Sequence, residues 1–319
     1  MFGGYNGSIS NGETWEWNGS IWTLRAGSGP SPGSGRVMAY DIDRGVIVLF
    51  AGNTSGGFTW EWNGSAWTFR SSSGPPRGSY AMAYDAGRGV TVLFAGYTGS
   101  SPYGETWEWN GSAWTLRSSS GPSPRVGHAM AYDAGRGVSV LFGGYDGTVS
   151  NGETWEWDGN TWMLRSSTGP SPRDGAAMAY DADRRVTVLF GGYKDTFPWT
   201  YYNDSWEWNG SAWTRRSGGG PTPRYLHAMA YDAGRGVTVL FGGKTSSSAV
   251  NGESWEYRSI TLGDMNTDGK LDGRDIQAFT SAILTAPTDP TNVYIADFNN
   301  SGKVDLSDID PFISLLLAP

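Results

Sequence analysis

The stretch Glu105–Arg117, Glu-Thr-Trp-Glu-Trp-Asn-Gly-Ser-Ala-Trp-Thr-Leu-Arg, recurs along this chain. Near-copies begin at Glu13, Glu153, Asp204 and Glu253, and an altered one runs from Phe58 to Arg70. Their central glutamates, Glu16, Glu61, Glu108, Glu156, Glu207 and Glu256, lie 45 to 51 residues apart. In Glu105–Trp109 polar and aromatic residues alternate with period two, the pattern of a half-buried strand. Asn110-Gly111 is expected to supply the φ > 0 of a tight hairpin turn, with Ala113–Arg117 as the return strand. A second hairpin precedes each copy: Ala129–Asp133, a turn through Ala134–Gly137, and Val138–Gly144. Four short antiparallel strands cannot bury both faces of their sheet alone. Stacked radially they can, so the predicted fold class is an all-β propeller of four-stranded blades.

Six occurrences predict six repeats over residues 1–262, the first and last incomplete, with five blades as the alternative. Residues 1–25 hold a strand stub at Phe2–Tyr5, then Glu13–Trp17 and Ile21–Arg25. Complete units start at Val37, Ala81, Ala129 and Ala177. The sixth starts at Ala228 and ends in Tyr257-Arg-Ser-Ile-Thr-Leu262, which has no turn residues, so its fourth strand is expected to be missing or paired elsewhere. Proline-containing linkers such as Gly121–Arg125 and Gly169–Arg173 leave one sheet without pairing and enter the next. Met1–Tyr5 copies Leu141–Tyr145, so the chain opens inside a structural unit with no visible signal peptide.

Composition removes several function classes. The net charge is −8, which gives no basic footprint for nucleic acid. Nine aspartates against Lys270, Arg274 and Lys303 concentrate the negative charge in residues 264–319. The absence of cysteine excludes disulfides, thiolate metal sites and cysteine nucleophiles. No apolar run reaches transmembrane length.

Catalytic signals are weak. The only histidines, His128 and His227, occupy a slot that elsewhere holds Arg36, Tyr80 and Ala176, so neither is expected to be a ligand or base. The repeated glutamates recur in every unit, unlike the paired carboxylates of a glycosidase. An arginine recurs at Arg77, Arg125, Arg173 and Arg224, and a Glu–Arg pair tying neighbouring strands is the expected role of both. No phosphate loop, Ser-His-Asp arrangement or zinc spacing is present. A non-enzymatic protein is therefore expected.

Of 17 tryptophans, all but Trp199 sit in repeat slots, where packing between blades is expected. Trp199 lies in an insertion, Lys194–Asn203, with Phe197, Tyr201 and Tyr202. These four are candidate ligand-binding residues, a platform for sugar rings or a partner. The alternative is a lid packed on the neighbouring blade.

The Tyr-Asp…Leu-Phe-Gly-Gly-Tyr…Thr-Trp-Glu-Trp…Trp pattern resembles the Kelch repeat. It is most similar to the bacterial form related to the galactose oxidase central domain. The resemblance implies that the first strand of each unit is innermost and that the Gly-Gly pair ends the second. It would also imply copper radical chemistry, but that needs a cysteine–tyrosine cross-link that this chain cannot form.

Residues 263–319 read as a separate module. Asp264–Asp275 fits the twelve-residue calcium loop, with ligands at Asp264, Asn266, Asp268, the Lys270 carbonyl, Asp272 and Asp275. A second copy, Asp297–Asp308, offers Asp297, Asn299, Ser301, the Lys303 carbonyl, Asp305 and Asp308. Two Ca2+ sites are predicted, the second weaker because Ser301 replaces an acid. Each loop runs into an apolar helical face: Ile276, Phe279, Ile283 and Leu284, then Ile309, Phe312, Ile313, Leu316 and Leu317.

Duplicated loop–helix halves ending in Asp resemble a type I dockerin. The resemblance implies a cohesin-like protein partner contacted by loop positions 10 and 11, here Gly273, Arg274, Leu306 and Ser307. The function expected is an extracellular or cell-surface binding scaffold docked through its tail. The alternatives are a structural subunit that polymerises into a filament and a carbohydrate-active propeller enzyme.

Overall fold

Inner strands of this chain alternate alanine with methionine, and second strands read Val-x-Val-Leu-Phe. Each strand therefore presents apolar side chains on both faces, and only a stacked sheet buries both. The computed structural model describes residues 1–33, 35–53, 56–76, 78–97, 102–195, 197–216, 220–245, 249–258, 275–285 and 304–316. The chain divides into two units, Met1–Glu256 and Tyr257–Pro319.

The first unit is a six-bladed propeller. Blade 1 holds β1 (Phe2–Tyr5), β2 (Ser10–Trp17) and β3 (Trp22–Ala26). Blade 2 holds β4 (Arg36–Asp41), β5 (Val46–Asn53), β6 (Gly56–Trp62) and β7 (Trp67–Ser71). Blade 3 holds β8 (Tyr80–Asp85), β9 (Val90–Tyr97), β10 (Pro102–Trp109) and β11 (Trp114–Ser118). Blade 4 holds β12 (Ala129–Asp133), β13 (Val138–Phe142), β14 (Thr154–Trp157) and β15 (Trp162–Ser166). Blade 5 holds β16 (Ala177–Asp181) and β17 (Val186–Phe190), an inserted hairpin β18 (Tyr193–Lys194) and β19 (Thr200–Tyr201), then β20 (Ser205–Trp208) and β21 (Trp213–Arg216). Blade 6 holds β22 (Ala228–Asp232), β23 (Val237–Phe241) and β24 (Ser254–Tyr257). The first strands β4, β8, β12, β16 and β22 neighbour one another in that order and so lie innermost.

Between blades the two sheet faces interlock. Ala129, Ala131, Val140 and Phe142 of blade 4 pack against Met178, Leu189 and Trp208 of blade 5. The same positions of blade 3 meet Met130, Leu141 and Trp157 of blade 4. A fourth-strand indole completes every joint except that between blades 5 and 6, since blade 6 has three strands. Trp162 Nε1 donates to Thr106 Oγ1 at 2.7 Å, and its ring meets Phe94 edge-on at 5.6 Å. Trp67, Trp114 and Trp213 repeat the bond onto Thr14, Thr59 and Thr154, each at 2.7 Å. Trp22 of blade 1 makes it onto Ser254 of blade 6 at 2.7 Å, with its ring 5.0 Å from Phe241, and so closes the ring.

Three expectations are corrected. The Asn-Gly turns are four-residue loops, since Trp109 pairs with Trp114. Only Gly111 takes a positive φ, 91°, while Asn110 Oδ1 accepts from the Ser112 and Ala113 amides at 2.9 Å each. The asparagine thus acts as a local side-chain cap. The second strand of blade 4 stops at Phe142 rather than Gly144. Gly143 turns away at φ 70°, and a Cβ there would meet the Arg173 carbonyl oxygen at 2.6 Å.

The Glu–Arg pairing also differs. The central glutamates do not take the recurring linker arginines. Glu108 pairs with Arg88 of the inner turn at 2.6 Å and Arg117 of the fourth strand at 3.2 Å, and accepts from the Trp157 indole at 3.3 Å. The linker arginines instead hold the acid that opens the third strand: Arg125 with Glu153 at 2.8 Å, Arg173 with Asp204 at 2.5 Å and Arg224 with Glu253 at 2.9 Å. Arg77 lies outside the described residues.

In the second unit, α1 spans Asp275–Thr285. A 3-10 turn at Leu306–Asp308 leads into α2, Ile309–Leu316. The rings of Phe279 and Phe312 lie 4.0 Å apart and are buried with Ala282 and Val304. Each phenylalanine stands four residues after the aspartate that ends its loop, so the duplicated sequence meets itself at matching positions. Ile276 and Ile313, expected on the buried faces, are half exposed, because one ring per helix makes this contact. The side chains of Ile283, Leu284, Leu316 and Leu317 lie outside the described residues.

Candidate calcium loops and docking face

Asp275 is the first residue of α1, and Asp308 closes the turn before α2. Both are fully buried. Asp308 Oδ2 accepts from the Asp305 amide at 3.0 Å. Asp305 Oδ1 accepts from the Ser307 amide at 2.9 Å and the Ser307 hydroxyl at 2.6 Å. This reciprocal capping holds the end of the second loop rigidly against its helix. Burying a carboxylate is costly unless positive charge or donors compensate it. Two buried carboxylates at position 12 of matching loops, each an oxygen donor, fit the shell of a hard cation.

Asp264, Asn266, Asp268, Lys270, Asp272, Asp297, Asn299, Ser301 and Lys303 lie outside the described residues, as do Gly273 and Arg274. Among the described residues no three acids or histidines gather into a metal cluster. Leu306 and Ser307, the second pair assigned to partner contact, are exposed on the turn beside Asp308.

In the propeller, both histidines are buried between blades. His128 packs edge-on against Phe94 at 5.3 Å, and burial followed by the Arg125 charge pushes its pKa down to about 4. His227 meets Phe190 at 5.6 Å, and burial with Arg224 pushes it down to about 3. Both imidazoles are neutral packing groups at pH 7.

The aromatic insertion divides in two. Tyr201 stacks on Tyr193 at 6.0 Å, and Tyr225, which enters blade 6, lies 5.6 Å from Tyr201. The Arg173 guanidinium sits 3.9 Å above the Tyr202 ring. The tip faces solvent, with Phe197 93% and Trp199 59% exposed. The structure therefore brings Tyr201 and Tyr202 into the packing and leaves Phe197 and Trp199 outside it.

One polar group escaped the sequence analysis. Asp174 is buried on the loop entering blade 5, where Ser150 Oγ donates to its Oδ1 at 3.2 Å. Burial pushes its pKa up to about 6; hydrogen bonds from Tyr193 and Ser150 oppose this and Asp195 adds to it. The signal was in the repeat: after the recurring arginine other units carry Gly78, Val126 or Tyr225, and only this one carries an acid.

Comparison with known proteins is consistent with both units. Residues 262–317 match the model of the dockerin type I domain. No curated protein matches the chain. Among solved structures, that of YjhT is similar with a TM-score of 0.58 and 12% identity, covering 76% of this chain and 87% of that one. At that identity the likeness concerns the fold alone. No helix among the described residues is long and apolar enough to cross a membrane.

Proposed function

We propose that this chain is an extracellular binding protein whose calcium-loaded tail docks its propeller onto a protein partner carrying a cohesin-like domain. The observation that carries the reading is the dockerin type I match over residues 262–317. The buried Asp275 and Asp308 and the exposed Leu306-Ser307 turn support it. In this reading each loop holds one Ca2+ through the six ligands assigned to it from the sequence. The ion's charge offsets the buried carboxylates and orders the loop against its helix. The propeller binds rather than catalyses. Its histidines are neutral and packed, and its repeated glutamates are held by arginines. The test is binding of a type I cohesin module to the full chain. Affinity should be lost on chelation of calcium and on deletion of residues 263–319. Equal binding with and without chelator would sink the reading.

A second reading rests on Asp174. An acid that breaks the repeat, with a pKa near neutrality beside Asp195 and Tyr193, suits proton transfer in a glycan-active enzyme. Turnover of a glycan panel that vanishes in Asp174→Asn while the fold persists would establish it. No turnover by the native protein would remove it.

A further inference from the structure

The buried acids of this propeller come with counter-charges. Among the described residues every buried carboxylate of the six blades except one meets an arginine, as Glu108 and Asp133 do. The exception is Asp174, whose side-chain bonds come from hydroxyls, Ser150 at 3.2 Å and Tyr193. Burying a carboxylate without a cation is costly. A second acid, Asp195, stands close enough for its charge to act on Asp174, and its amide donates to Ser150 Oγ at 3.1 Å. Lys194 of β18 is exposed and ion-pairs with neither acid. Both acids break the repeat, since blade 4 carries Val126 and Gly147 at these positions.

Aromatic rings gather beside this uncompensated charge. The Tyr193 and Tyr225 centroids lie 4.6 Å apart, and Tyr201 reaches both, at 6.0 and 5.6 Å. The Asp174 charge acts on Tyr193 and on Tyr225. All three tyrosines are half-buried, so part of each stays open to a ligand. Tyr201 belongs to the insertion, and Tyr225 stands where blade 4 has Val126, so two of the three break the repeat as well. Ring faces attract cations, organic ammonium groups above all. A hard metal ion would need about six oxygens, which two carboxylates among rings do not supply. The solvent-facing Trp199 precedes Tyr201 by two residues, at most about 7 Å along the chain. An exposed indole at that distance offers a flat apolar face, which matches the C–H face of a pyranose ring.

We propose that Asp174, Asp195, the three tyrosines and Trp199 form a binding site for an amino sugar within a glycan. The ammonium of that sugar is drawn by the charges of Asp174 and Asp195 and lies against the tyrosine rings, while a neighbouring sugar ring stacks on Trp199. A free amine is required, because an acetylated one carries no charge to offset the two carboxylates. The inference deepens the reading of the propeller as a binding domain and rests on it. It needs neither turnover nor docking by the tail.

Isothermal titration of the full chain with a β-linked glucosamine tetramer, and with the same tetramer N-acetylated, tests this. Saturable binding of the free amine, at least about tenfold tighter than of the acetylated form, is expected. Asp174→Asn and Asp195→Asn should each weaken the free amine about tenfold and leave the acetylated tetramer unaffected, without lowering the Tm of the free protein. Trp199→Ala should weaken both tetramers. Equal binding of the two tetramers, or no saturation by the free amine, overturns the proposal. So does an unchanged affinity in both aspartate variants. A lysine tetrapeptide that competes as well as the glucosamine tetramer overturns it too, by showing that any ammonium suffices. Cohesin binding retained beside any of these failures separates them from a failure of the docking reading.

Discussion

The indole of Trp22 donates to the hydroxyl of Ser254, 2.7 Å away in space and 232 residues away in sequence. It is the same kind of bond that joins blades 1 to 5 in turn, so the ring closes with one of its ordinary joints. The bond and the edge contact with Phe241 hold the first and last blades together. Trp22→Phe, which keeps a ring but loses the donor, should cost about 1 kcal/mol. Trp22→Ala should cost about 3 kcal/mol. Urea denaturation measures both, and equal stability of the three proteins would show that closure lies elsewhere.

The repeated glutamate should matter according to its surroundings rather than its slot. Glu108 is buried and bonds two partly exposed arginines and an indole, so Glu108→Gln loses charge-assisted hydrogen bonds and should cost about 2 kcal/mol. Glu16, half exposed with one arginine, should cost under about 1 kcal/mol as Glu16→Gln. Thermal denaturation of the pair checks the ordering.

Asp174 gives a pH signature with a definite sign. Its folded pKa, about 6, lies above the unfolded value, so the folded state holds the extra proton in that window and stability from this group rises as pH falls through 6. His128 and His227 act oppositely. Their folded values of about 4 and about 3 lie below 6.5, so their contribution is complete above that pH and is lost as the solution is acidified through the window. Asp174→Asn should therefore raise Tm near pH 8 and lose that advantage near pH 4.5 (both approximate set points). A gain independent of pH would contradict the burial of a charge.

The insertion should respond at its base and not at its tip. Tyr201→Ala removes the stack on Tyr193 and Tyr225 and should destabilise by about 1–2 kcal/mol. Trp199→Ala, at a solvent-facing position, should leave Tm unchanged while abolishing any sugar or partner binding by this loop. A Tm loss in Trp199→Ala would reassign the tip to packing.

The sequence alone determined the strands, their number per unit and the six-fold repetition. These depend on local alternation and on a motif written six times, and both are visible along the chain. The duplicated loop spacing of the segment that matches the dockerin type I model was legible for the same reason, since its residues are neighbours in sequence. Only the tertiary structure decided which arginine meets which acid. Arg88 on the inner turn meets Glu108, and Arg125 on the linker meets Glu153, three residues before the central glutamate Glu156. It alone decided that the Asn-Gly turns are four-residue caps, because the same dipeptide serves either loop. It alone decided that Trp22 reaches Ser254 and that Glu16 and Tyr40 stay exposed where Glu108 and Tyr84 are buried. Those facts depend on the angle between blades summed around a ring, a quantity that no single repeat contains.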